Sequence, residues 1–167
     1  RLLIDLLIRW AFVFYYRGDF RGLVDLLAAH VEMADSLADK ALRGMFYGWL
    51  GFAMECRGRV TDSYKYLRRA LALGEETGDE RTIGYACTWL TWTCGHMGLL
   101  QEAESYGKRA QESAARIPSD PYLYFKSLGG LGSVYYFRGD RRRTLEAGQA
   151  LLDYGQRHGN IRCQVMG

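Results

Sequence analysis

The chain has 167 residues, enough for one domain with a substantial core, and 49% of them are hydrophobic against 25% charged, a globular composition. Its formal charge of +3 is spread along the chain and lacks the concentrated basic face of a nucleic-acid binder. Four cysteines (Cys56, Cys87, Cys94, Cys163) with no CxxC pair exclude a dense disulfide framework and read as reduced, packed thiols in a reducing compartment.

The first element, RLLIDLLIRWAFVFYY, is apolar but carries Asp5 and Arg9 and no signal-like cleavage site. A membrane span needs about 20 mostly uncharged residues, so this run predicts a buried helix. It closes at Gly18, and an amphipathic stretch through Phe20 and Leu27 follows. The next apolar-aromatic helix carries Met45, Trp49, Leu50, Phe52 and Ala53 and closes at Gly58; its amphipathic successor carries Tyr64, Leu67, Ala70 and Leu71. ETGDER around Gly78-Asp79 separates this pair from a helix with Tyr85, Leu90 and Trp92 that runs to Gly98, and a stretch with Ala103 and Ala110 follows. RIPSDP opens the next pair, with Asp120 suited to an N-cap, as is Asp79, and Pro121 to the first helical position. That pair turns at Gly139 and ends at RHGN, Gly159-Asn160, after which a new amphipathic pattern begins. No strand-like alternation occurs anywhere, so the chain is expected to be all-α. Because it begins at Arg1 and stops within a new pattern, it is expected to be a fragment of a longer protein.

Gly18, Gly58, Gly98 and Gly139 recur at intervals of 40, 40 and 41 residues (18 to 58, 58 to 98, 98 to 139) in YYRGDF, ECRGRV, GHMGLL and YFRGDR. A fixed period in this range signals stacked supersecondary units. The expected units are 1-38, 39-78, 79-119 and 120-159, with a further helix starting over 160-167, in one domain. Each glycine supplies the left-handed turn that ends a first helix. Arg17, Arg57 and Arg138 precede three of these turns, where a cation favours the negative helix end. RGD at Arg17-Gly18-Asp19 and again at Arg138-Gly139-Asp140 therefore reads as a structural turn and not as an attachment motif. The glycines of SLGGLGSVYYFRGD follow no strand and lack GxxxxGK[ST], so no phosphate loop is expected.

These units resemble the tetratricopeptide repeat. Leu131-Gly132, Tyr135-Tyr136 and Gly139-Asp140 sit on that family's L-G-x-x-Y-Y-x-x-G-D pattern. The second unit matches with Tyr47, Leu50, Gly51, Gly58, Leu67 and Ala70; the third with Leu90, Gly98, Ala103 and Ala110; the first with Ala11, Phe14, Gly18, Phe20 and Leu27. His30 stands where a small residue is usual, and Ser63 and Thr144 replace an alanine. The period of 40 against the family's 34 points to a subclass with longer helices. The resemblance implies a right-handed α-α superhelix of about four hairpins. It also implies a concave face lined by the first helices: Asp5, Ile8, Phe12, Tyr15 and Tyr16; Met45, Gly48, Phe52, Glu55 and Cys56; Tyr85, Thr88, Trp92, Gly95 and His96; Lys126, Gly129, Ser133, Tyr136 and Phe137.

That face is aromatic, and exposed aromatic strips mark contact sites for an amphipathic helix or extended peptide. An aromatic stripe at helical spacing is also what a buried core presents, and longer helices would fold the groove inward. The docking residues expected from it are Phe12, Tyr15, Phe52, Glu55, Tyr85, Trp92, His96 and Tyr136. The lysine and asparagine clamp by which some members of the family hold a terminal carboxylate is missing, because Ile8, Phe12, Trp49, Phe52 and Cys56 stand there. No catalytic residue, cofactor or metal is expected. The carboxylates lie scattered, no serine or cysteine is placed beside a base, and Cys87-x6-Cys94 near His96 is not a standard zinc spacing. Arg141 to Arg143 read as a solvated helix corner. The sequence thus predicts a cytoplasmic protein-interaction scaffold whose partner is a protein, a peptide or another segment of its own chain, without nucleic acid or membrane. Two alternatives stand beside it: a regulatory or sensor segment of a multidomain bacterial signalling ATPase or nucleotide-cyclase protein, and a structural oligomerisation element joined through its exposed ends, for which Leu2, Leu3, Ile4, Leu6 and Leu7 form the apolar end.

Overall fold

The computed structural model describes all residues 1–167 and contains helices only. They are α1 (Leu2–Arg17), α2 (Phe20–Ala28), α3 (Val31–Asp35), α4 (Lys40–Cys56), α5 (Val60–Thr77), α6 (Glu80–His96), α7 (Leu100–Arg116), α8 (Pro121–Phe137), α9 (Arg141–His158) and α10 (Ile161–Met166). No helix is long and apolar enough to cross a membrane.

The same local chemistry starts and stops the helices in every unit. Asp39, Asp79, Asp120 and Asn160 precede α4, α6, α8 and α10, and each side chain accepts from the backbone N–H three residues on, at 3.1 to 3.2 Å. This satisfies one of the N–H groups that a helix start leaves without a partner. At the other end Gly18, Gly58, Gly98 and Gly139 hold φ between 69° and 76°, the left-handed region. The residue after each donates back to the carbonyl five residues earlier: Asp19 to Phe14, Arg59 to Met54, Leu99 to Cys94 and Asp140 to Tyr135, at 2.9 to 3.1 Å. That six-to-one bond is the Schellman closure. Asp19 and Asp140, the acidic members of the two RGD triplets, then cap α2 and α9 through the N–H groups of Gly22 and Arg143. The triplet is a turn joined to a cap.

The helices form an α-α solenoid. First helices lie side by side, α1 on α4, α4 on α6 and α6 on α8, while each second helix packs on its own first helix and on the next. Second helices make no comparable contact with one another, so the stack curves with the first helices inside. A surface ladder follows the same period: Arg69 pairs with Asp35, and forty residues on Arg109 pairs with Glu75 at 2.7 Å. Such exposed pairs contribute at most about 1 kcal/mol each. At Ser63, one of the alanine replacements, the buried hydroxyl finds Thr93 Oγ1 at 2.9 Å, so the polar group is satisfied.

The first unit departs from the two-helix expectation. His30 occupies the position held by Ala70 and Ala110, which are fully buried under their neighbours. An imidazole does not fit there. Its Nδ1 instead donates to the Leu26 carbonyl at 2.8 Å, and the second helix breaks into α2 and the single turn and a half of α3.

The core is rich in large rings, and Trp49, Trp89, Tyr47 and Tyr85 rank first among its fully buried side chains. Trp89→Ala is expected to lower the unfolding free energy by about 3–5 kcal/mol through the cavity it leaves. Gly98→Ala, where nothing lies within 4 Å of an added Cβ, is expected to lose about 1–2 kcal/mol from the φ of 76° alone. Urea unfolding followed by circular dichroism reads both, and a Gly98→Ala chain as stable as the parent would contradict the turn assignment.

Candidate functional site

The inner face is built by stripes on the first helices. On α6, Tyr85, Trp89, Trp92 and His96 fall on one helical stripe, and on α4 the corresponding stripe carries Met45, Trp49, Phe52 and Cys56, with Glu55 beside it. The curvature brings α1 and α8 together across these, and the rings interlock. Phe12 sets its edge against Trp49 at 4.7 Å and against Tyr122 at 5.5 Å. Tyr15 meets Phe52 at 5.8 Å and Tyr122 at 5.5 Å. Phe52 stacks on Trp89 at 5.2 Å, and Tyr85 stacks on Tyr122 at 5.4 Å. The middle of the groove is therefore filled by its own walls.

This filling divides the eight residues singled out in the sequence into two sets. Tyr15, Phe52 and Tyr85 are buried and Phe12 half-buried, all in the ring cluster. The Tyr85 hydroxyl donates to Asp120 at 3.0 Å, and burial pushes its ionisation up. Glu55, Trp92, His96 and Tyr136 lie toward the other end of the inner face and keep access to solvent, Tyr136 being 70% exposed. Glu55 Oε1 pairs with His96 Nδ1 at 2.8 Å, joining α4 to α6. Phe137, 46% exposed, lies 6.2 Å from the His96 ring and 6.0 Å from Tyr136. Beside them a recess of about 570 Å³ opens between α8, α9 and the end of α10, with Trp92, Gly129, Tyr136 and Phe137 on one wall and Leu145, Gly148 and Leu151 on the other. A smaller cleft of about 250 Å³ lies at the opposite end, over Ile8, Phe12 and Trp49 and rimmed by Asp5, Arg9 and Arg81.

Two cations lie against the ring cluster, Lys126 half-buried and Arg162 exposed. Lys126 Nζ lies 5.6 Å from the Tyr15 ring, 5.8 Å from Phe52 and 5.3 Å from Trp92. Burial lowers its pKa, and the nearby Arg162 guanidinium pushes in the same direction against the opposing influence of Cys56 and Glu55. Arg162, from α10, donates to the Tyr15 hydroxyl at 2.7 Å and lies 4.5 Å and 4.8 Å from the Tyr15 and Tyr16 rings. The last helix thus touches the first. Trp49, Trp89 and Tyr122 belong to this cluster without having been singled out as site residues, although their helical spacing from Phe52, Tyr85 and Lys126 puts them on the same stripes. No local signal in the sequence marks Arg162, because its partner stands 147 positions away.

Two of the four thiols, Cys87 and Cys94, lie enclosed in the core. Burial pushes both up to about 12, so neither is a thiolate near neutrality. His96 is exposed while these two sulfurs are enclosed, so the three do not converge on one point.

No protein-family model matches the sequence, and no curated protein matches it. Solved structures do. BtubC (BKLC) from P. vanneervenii is similar over 90% of this chain with a TM-score of 0.71 at 22% identity. The nearly identical TPR-like repeats described as a kinesin light chain from Podosopora anserina cover 93% of it with a TM-score of 0.69 at 17% identity. The chain spans 61% of the length of the first and 76% of the second. At these identities the likeness is one of fold, and the chain is a helical-repeat solenoid of the tetratricopeptide type.

Lys126→Met tests the site's electrostatics. A lysine whose pKa is lowered on folding opposes folding below its folded-state value, and the opposition fades as pH rises toward the ordinary lysine range. Methionine keeps the stem's packing without the desolvated charge. The variant is expected to melt above the parent at pH 7, with the gap narrowing at alkaline pH; a lower midpoint at pH 7 would mean that the contacts with Tyr15, Phe52 and Trp92 outweigh desolvation.

Proposed function

We propose that the chain is a protein-interaction scaffold that docks a peptide or helix on the open half of its inner face, along Glu55, Trp92, His96, Tyr136 and Phe137. The observation that carries this reading is the contrast between the two halves. Phe12, Tyr15, Phe52 and Tyr85 satisfy one another, whereas Tyr136 and Phe137 stay exposed beside a recess large enough for an apolar anchor. Exposed aromatics at the rim of a concavity supply large contact area for little lost rotamer freedom. Glu55 and His96 add a polar edge that fixes orientation. The fold shared with TPR-like repeat proteins supports the same reading, and the four free cysteines, three of them buried, fit a reducing compartment such as the cytoplasm.

A second reading has its own support. Arg162 of α10 already lies on Tyr15 and Tyr16, so a segment of the same chain occupies one part of the inner face. In this reading the groove serves as a seat for intrachain regulation, and release of α10 opens it.

Peptide display tests the first reading. The immobilised chain is expected to enrich peptides with aromatic or aliphatic anchors, and Trp92→Ala or Tyr136→Asp to reduce their retention at least about tenfold, the loss of a single hot-spot contact. Helical content is expected to stay unchanged, since both positions have solvent access. Enrichment no better than a scrambled control, or retention indifferent to both substitutions, would retire the docking strip.

A further inference from the structure

The smaller cleft, of about 250 Å³, opens among α1, α4 and α6. Its walls belong to three helices of one inner face, so it is formed inside the stack and not at either end of it. Two guanidinium groups stand at its rim, and each is tethered in the same way. Arg9 donates through Nε to Asp5 at 2.8 Å, one turn back on α1. Arg81 turns its Nε to Asp120 at 3.3 Å. Asp120 is itself held, since it accepts from the Tyr85 hydroxyl at 3.0 Å and caps α8 through the Leu123 N–H at 3.2 Å. A guanidinium carries five N–H donors, and each of these two has one carboxylate partner in the chain. Donors therefore remain on both for a second planar acceptor.

The floor of the cleft adds another donor. Trp49 lines it, is fully buried, and has an indole N–H without a hydrogen-bond partner. The other tryptophans of the inner face are paired: Trp89 donates to the Tyr122 hydroxyl and Trp92 to the Lys126 carbonyl, each at 3.4 Å. A buried donor with no acceptor is costly, and an acceptor brought into the cleft removes that cost. Around the indole lie Ile8, Phe12 and Met45, all half-buried. The space is smaller than the roughly 300–1,000 Å³ of sites for drug-sized ligands, so it admits only a small molecule. Asp5 and Asp120 balance the two arginines, which leaves no surplus positive charge and favours a monoanion over a phosphate-like dianion.

We propose that this cleft binds a small free monocarboxylic acid with a short apolar body. The carboxylate takes the remaining donors of Arg9 and Arg81 and is the acceptor that the Trp49 N–H lacks, while the body rests on Ile8, Phe12 and Met45. Asp5 and Asp120 are positioning residues that aim the two guanidinium groups. Held between Arg9 of α1 and Arg81 of α6, the acid bridges two helices that α4 separates. The site is independent of the docking strip, since Glu55, Trp92, His96 and Tyr136 lie toward the other end of the inner face and line no part of the cleft.

Heteronuclear NMR of the indole N–H groups of the full chain tests the cleft, with phenylacetate as the probe and phenylacetamide as its uncharged counterpart. The Trp49 resonance is assigned by its loss in Trp49→Phe, and independently by cross-peaks to the Phe12 ring, 4.7 Å away. Phenylacetate is expected to shift it saturably at concentrations up to about 10 mM, the affinity range of so small a ligand. Phenylacetamide on the parent, and phenylacetate on Arg9→Gln or Arg81→Gln, are expected to bind at least about tenfold more weakly, the loss of a charge-assisted hydrogen bond. The two arginine side chains are 73% and 57% exposed, so the fold tolerates these changes. The tripeptide Gly-Gly-Phe, whose chain exceeds the cleft, is expected to bind no better than phenylacetate. A Trp49 resonance that does not shift saturably, equal binding of acid and amide, indifference to either arginine substitution, or tighter binding of the tripeptide would each overturn the assignment.

Discussion

The contact on which the inner architecture depends is the meeting of rings at Tyr122. This side chain, at the start of α8, lies within 5.5 Å of Phe12, Tyr15 and Tyr85 and within 6.3 Å of Trp49, so it touches α1, α4 and α6 at once. A stack of helix pairs gains stability mainly from neighbour to neighbour. Here a fourth unit reaches the first directly, and the solenoid acquires a shared interior. Edge-on and offset ring pairs are favourable by about 0.5–1.5 kcal/mol beyond their burial. Because each ring belongs to several pairs, a change at one is felt across units that are not neighbours in the chain.

Much of this was legible in the sequence, and the part that was legible is the local part. Gly58 and Gly98 need a left-handed backbone, and Asp79 and Asp120 offer a carboxylate to a bare helix start. Both signals act within a few residues, so the period of forty and the helix ends could be read directly. The break at His30 was visible as a departure but not as a break, since its outcome depended on how closely α2 packs under α4. The fate of Tyr15, Phe52 and Tyr85 was not legible. A stripe of rings at helical spacing is compatible with an open groove and with a closed core, and the choice between them rests on superhelical curvature and ring volume. Those are properties of four units together. The pairing of Arg162 with Tyr15 lies still further from any local pattern.

Lys126 is the group least explained by packing alone. A cation among Tyr15, Phe52 and Trp92 gains from their negative faces, typically by about 0.5–2 kcal/mol, while its desolvation acts in the opposite sense. The neighbouring Arg162 adds repulsion, and Glu55, the carboxylate that favours its charge, is already paired with His96. Lys126 also stands where the closed half of the inner face ends: beyond it Trp92, His96 and Phe137 follow at ring distances of 6.2 to 6.5 Å, with His96 and Phe137 exposed.

Closing half of a groove changes what the other half can do. In an open solenoid a bound segment spreads its contacts over every unit, and each junction is free to flex. With α1, α4, α6 and α8 joined through Tyr122, the proposed strip from Glu55 to Phe137 stands on a fixed base, and rigid presentation would lower the ordering cost of any binding there. Of the inner helices α10 is the shortest, and it is fixed by buried Cys163, by Gln164 on the Gly155 carbonyl and by Arg162 on Tyr15. α10 thereby ties α9 to the ring cluster, since its Gln164 reaches Gly155 while its Arg162 reaches Tyr15.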